Sequence, residues 1–64
     1  MRIEGITYDV DWAECDSGQS VFIPCLDGDK ARDTAAKYCT RLNVEVVVSV
    51  RIEEGIRGLR IWKV

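Results

Sequence analysis

Four carboxylates within eight positions, Asp9, Asp11, Glu14 and Asp16, form the densest acidic run of this 64-residue chain. Crowded oxygen ligands suit a divalent cation, but a calcium loop closes on a glutamate at its twelfth position, and this run has none. Asp9 and Asp11 instead keep the two-residue period of a strand, which turns both to solvent. Asp27 and Asp29 flank Gly28 where a helix is expected to start, and they read as its cap and first-turn acid. Cys15, Cys25 and Cys39 are odd in number and widely spaced, without a Cys-x-x-Cys pair and without any histidine in the chain. They prepare neither a zinc site nor a disulfide framework and are expected to be reduced, small apolar groups. Cys39, near Lys37 and Arg41, is the one thiol with cations close enough in sequence to activate it. No residue set supplies a nucleophile beside a base, and no glycine-rich loop precedes the helix to cradle a phosphate. The expectation is a non-enzymatic protein with no metal and no cofactor.

Chemistry of recognition is better supplied, by the carboxyl-terminal residues Val47, Arg51, Ile56, Arg57, Arg60, Trp62 and Lys63. An indole and guanidinium groups among aliphatic carbons have the composition of an interface hot spot. The alternative reading is an ordinary solvent face, with Trp62 stacked under Arg60 or covering Val47.

The elements that must carry these residues follow from periodicity. Ile6, Tyr8, Val10 and Trp12 alternate with Thr7, Asp9 and Asp11, which predicts a strand over residues 6–12. Asp16, Ser17 and Gly18 are turn chemistry. A second strand covers residues 20–25, and Pro24, which has no amide hydrogen, places it at a sheet edge or ends it. A helix runs from Gly28 or Asp29 to Leu42, with Ala31, Ala35, Tyr38, Cys39 and Leu42 on one stripe and Asn43 as a left-handed stop. Val44, Val46, Val48, Val50 and Ile52 then form an unbroken apolar set at period two, the expectation for a central strand. Glu54-Gly55 as a two-residue turn pairs Val50 with Leu59, Val48 with Ile61, Ile52 with Arg57 and Val46 with Lys63. Arg51, Arg60, Trp62, Val47 and Ile56 fall on the opposite face. The predicted fold is α+β, β-β-α-β-β, a four-stranded mostly antiparallel sheet with one amphipathic helix packed on one face.

A chain of this length makes a single domain, residues 1–64, of marginal stability. It is 47% apolar and 31% charged, a globular composition. No apolar run approaches a membrane span and the start alternates, so a cytoplasmic chain is expected. The net charge of −2 conceals a division: residues 1–29 set Arg2 against seven carboxylates for −6, and residues 30–64 set eight cations against four carboxylates for +4. Either the halves neutralise one another in the fold or the acidic run Asp9, Asp11, Glu14 and Asp16 is itself a docking face.

At Gly18-Gln-Ser-Val-Phe-Ile-Pro24 and Gly58-Leu-Arg-Ile-Trp-Lys63 the chain resembles a group of small, mostly uncharacterised proteins of tailed bacteriophages. In these, a Gly-x-Ser-Phe-Phe-Val-Pro-like strand precedes a basic helix and a Gly-x-Arg-Val-Trp-Arg-like strand ends the chain. The resemblance covers about residues 12–64. This sequence is one aromatic short in the first motif, and its helix is less basic. Trp12-Ala13, Ser17 and residues 20–24 are also similar to the amino-terminal half of small podovirus inhibitors of host RNA polymerase, which lack the second hairpin. Both resemblances imply a viral accessory protein acting in the infected bacterial cytoplasm by stoichiometric binding to a host protein: a polymerase, a nuclease or a CRISPR effector. Two further readings compete. The basic hairpin could bind nucleic acid directly, with Arg57, Arg60 and Lys63 on phosphates and Trp62 on a base. Oligomers could instead enclose a small molecule between subunits, and Trp62 could equally be a homodimer contact.

Overall fold

The computed structural model describes residues 1–12 and 14–64. Glu54 and Gly55 hold φ at 53° and 78°, the paired positive values that a two-residue type I′ connection requires. They join β4 (Val46–Glu53) to β5 (Ile56–Lys63) in the expected register, with Val50 opposite Leu59, Val48 opposite Ile61 and Val47 opposite Trp62. A slip of one residue would expose Leu59 and Ile61, both fully buried, so burial locks the register that the turn initiates.

Strand order departs from expectation. β5 also pairs with β3 (Ser20–Pro24), giving an antiparallel sheet in the order β3-β5-β4 with β5 central and β4 at an edge. The valine run of β4 suits a pleated surface but does not say how many neighbours it has. The neighbour is decided at Gly58, opposite Pro24, where an added Cβ would stand 2.7 Å from Phe22 Cζ and 2.9 Å from Pro24 Cα. Only a residue without a side chain admits β3 and the Phe22 ring at that distance. Pro24 accordingly lies both on an edge strand and at its end.

The strand expected over residues 6–12 is also corrected. Only β2 (Ile6–Thr7) joins a ladder, pairing with β1 (Arg2–Ile3) in a two-stranded ribbon separate from the main sheet, which therefore has three strands rather than four. Glu4 and Gly5, at φ 51° and 80°, make a second type I′ turn. Past Tyr8, whose amide and carbonyl exchange bonds with Met1 at 2.7 and 3.0 Å, the alternation survives without a ladder: Val10 is half-buried like Tyr8 and Trp12 is buried, while Asp9 and Asp11 are exposed.

α1 (Gly28–Arg41) opens on Asp27, whose carboxylate accepts the Lys30 amide at 3.1 Å. It closes at Asn43, φ 62°, whose amide donates to the Thr40 carbonyl while that of Val44 donates to Cys39 at 2.9 Å. That pair of bonds is a Schellman motif. Gly28, Ala31, Ala35 and Cys39 face inward, and their small size seats the helix against β4 and β5. Leu42, the last position of the expected stripe, is the C-cap and remains 48% exposed. Met1, Ile3 and Trp12 join Ile23, Cys25, Leu59, Ile61 and the helix residues in one buried cluster. The fold is α+β, one helix on one face of an antiparallel sheet. Among the described residues no helix is long and apolar enough to cross a membrane.

Candidate functional site

The face of the sheet away from α1 is built in rows across three strands. Ser20, Trp62 and Val47 form one row, and Phe22, Arg60 and Ser49 the next. Arg60 is the structural centre of this face. Its Nε donates to Glu53 Oε2 at 2.9 Å, its Nη2 to Glu53 Oε1, and its Nη1 to Ser20 Oγ at 3.1 Å. Its guanidinium carbon also lies 5.4 Å from the centre of the Phe22 ring. These bonds hold the Glu53 carboxyl below its ordinary value of 4.5, the hydrogen bond from Arg60 contributing most and the charges of Arg60 and Arg51 adding to it.

Arg51, not Arg60, covers Trp62: its guanidinium carbon is 5.3 Å from the indole centre. Arg51 itself is exposed. Val47 in the Trp62 row and Ile56 at the turn are 53% and 52% exposed. The fold therefore brings Val47, Arg51 and Trp62 together, sets Ile56 on the same face near the turn, and engages Arg60 internally.

Arg57 and Lys63 lie on the other parity. Lys63 Nζ donates to the Trp12 and Cys15 carbonyl oxygens at 2.6 and 2.8 Å, tying the segment before β3 to the sheet. Arg57 remains exposed and borders a shallow depression with Leu26, Val50 and Ile52. Val50, expected in the core, packs against Gly28 at the helix start yet stays 38% exposed, and Ile52, of the same apolar set, is 65% exposed, because β4 is an edge strand. Leu26, 85% exposed, is a residue that periodicity passed over. It precedes the helix cap, where an apolar side chain ordinarily staples onto the fourth helical residue. That residue is Ala31, which is turned into the core. The Leu26 amide is held by the Glu4 carboxylate at 2.8 Å, as is that of Asp27.

Asp9, Asp11, Glu14 and Asp16 are all exposed. The ion pairs among the described residues are Arg32–Asp29, Lys37–Asp33 and Arg60–Glu53, so the acidic run is not neutralised by the basic half through direct pairing. Among the described residues no three His, Cys, Asp or Glu side chains gather closely enough to hold a metal. Cys25 and Cys39 are buried, and desolvation pushes both thiols upward. That overturns Cys39 as an activated thiol, since Lys37 and Arg41 point to solvent while the sulfur faces the core. The sequence matches no protein-family model, and comparison with curated proteins and with solved structures finds no match.

Proposed function

We propose that this chain is a small non-enzymatic binding protein of the tailed-phage accessory kind, which inhibits a host nucleic-acid-processing or defence protein by occupying it stoichiometrically. The docking face is Val47, Arg51, Ile56 and Trp62. The observation that carries this reading is the pair of half-exposed aliphatic residues, Val47 and Ile56, on the same face as a Trp62 already stacked under Arg51. A tryptophan and an arginine held in one geometry lose little rotamer freedom on binding, which favours them as anchors.

The nucleic-acid alternative is less well supplied. Of its cations Arg60 is committed to Glu53 and Ser20, and Lys63 to two backbone carbonyls. The net charge is −2, and the acidic run adds an anionic surface that phosphates would avoid. That surface fits the cationic channel of a nucleic-acid enzyme, as a secondary contact beside the hairpin.

The test is capture from a bacterial lysate by the tagged full chain. One host protein is expected at near-equimolar yield, lost on the double substitution Val47→Asp and Ile56→Asp and retained on Arg57→Ala, with unchanged circular dichroism. Recovery of no stoichiometric protein, or retention by the double variant, overturns the reading. Oligonucleotide binding by the purified chain at about 50 mM salt, where phosphate contacts are strongest, would decide for the alternative.

A further inference from the structure

The backbone of β4 leads elsewhere. On β5, the Arg57 carbonyl accepts the Cys25 amide, and Lys63 exchanges bonds with Gln19 and Gly18, so odd-numbered residues of β5 address the β3 side. The even-numbered ones, Ile56, Gly58, Arg60 and Trp62, address β4, where their partners are Glu53, Arg51, Ser49 and Val47. Amides and carbonyls alternate direction along a strand. Those of Val46, Val48, Val50 and Ile52 therefore point away from the sheet, and among the described residues β4 has no second neighbour. Natural edges are blunted by brevity, proline, charged side chains or a bulge, and the two charges of β4 are engaged within its own sheet, Arg51 over Trp62 and Glu53 by Arg60. β3, the other edge, is five residues long and ends in Pro24, whereas β4 runs eight residues paired without a break and has neither proline nor lysine.

We infer that β4 pairs antiparallel with β4 of a second copy about a two-fold axis at Val48, joining two three-stranded sheets into one of six. The register follows from charge. With Val48 opposite itself, Val46 faces the partner's Val50 on the helix side, and both present the free amides and carbonyls that pairing needs. On the other side Glu45 meets the partner's Arg51, and by symmetry Arg51 meets the partner's Glu45. They fall at the sites without backbone bonds, where facing side chains come closest. The neighbouring register about Ser49 would set Glu45 against the partner's Glu53 twice, and that about Val50 would lose both charge pairs. A two-fold interface must be self-complementary; the register about Ile52 also sets Arg51 against the partner's Glu53, but it overlaps only residues 51–53 of β4, whereas that about Val48 meets the condition over residues 45–51. The same pairing would cover Val46 and Val48, half-exposed in the groove between α1 and β4. It leaves the outward side chains of Trp62 and Ile56 free and does not depend on the host-binding reading.

Sedimentation and amide exchange of the full chain test it. The expected species is a dimer of twice 7.2 kDa, with the Val46, Val48 and Val50 amides protected as concentration rises. Glu45→Arg alone and Arg51→Glu alone should each weaken association by about tenfold or more, because each sets like charges together twice. An equimolar mixture of the two variants should restore a heterodimer, in which both contacts again join opposite charges. A monomer at about 1 mM overturns the inference, since pairing weaker than that has no standing in a cell. So do a dimer whose β4 amides exchange freely, which would place the contact elsewhere, a mixture that fails to associate, and a chain that stays monomeric until a foreign strand occupies β4.

Discussion

Glu53 carries the acid sensitivity of the outer face. Its carboxyl is held below its ordinary value of 4.5, chiefly by the hydrogen bond from Arg60. A group whose pKa is depressed by folding stabilises the native state above its unfolded value, and that contribution disappears as pH falls through the folded value. Urea midpoints measured across pH should therefore decline below pH 4.5 more steeply in the wild type than in Glu53→Gln, which starts less stable at neutral pH. The pairing itself was invisible along the chain, because Glu53 and Arg60 look like two members of a charged solvent face until a turn folds one strand onto the other. Glu4 is the clearer case. It holds two amides before the helix from 22 and 23 residues away, a separation at which no local pattern records a cap.

At the scale of elements, local rules were sufficient for the helix and the terminal hairpin. Asp27 and Asn43 bound the helix as their side chains and backbone preferences require. Glu54-Gly55 set all eight pairs of the terminal hairpin. The first hairpin, across Ile3-Glu4-Gly5-Ile6, was not expected, because the longer alternation of residues 6–12 claims some of the same residues. The contact between β3 and β5 was not legible, since it depends on a glycine that reads from sequence as a loose point in a strand. Gly58→Ala tests that reading: the new methyl would meet Phe22 and the backbone of β3, and overpacking of this kind costs about 2 kcal/mol. Thermal unfolding should show the loss, with the β3 amides exchanging faster than those of β4.

The whole molecule has a Cα radius of gyration of 10.9 Å, matching the roughly 11 Å of a compact folded chain of this length. Its core is small and centred on β5, so stability should be unevenly distributed. Leu59→Ala removes a fully buried side chain and should cost about 3 kcal/mol. A domain of this size has about 5 kcal/mol in all, so a large fraction of the variant should unfold well below the wild-type urea midpoint. Val50→Ala, its neighbour across the ladder, is 38% exposed in the single chain and, measured at a concentration low enough to keep the chain monomeric, should cost less than about 1 kcal/mol. Equal losses at the two positions would contradict an edge position for β4.

Period-two and helical spacing, the capping residues and the terminal turn determined the α+β class, the helix bounds and the two faces of the last hairpin, because each is an interaction between residues close along the chain. Tertiary structure decided which strand is central, which cations remain exposed and that the first ribbon stands apart. Those outcomes depend on close approach at Gly58 and on bonds such as Lys63 to Trp12, 51 residues apart, and contacts that distant leave no periodic trace in the sequence.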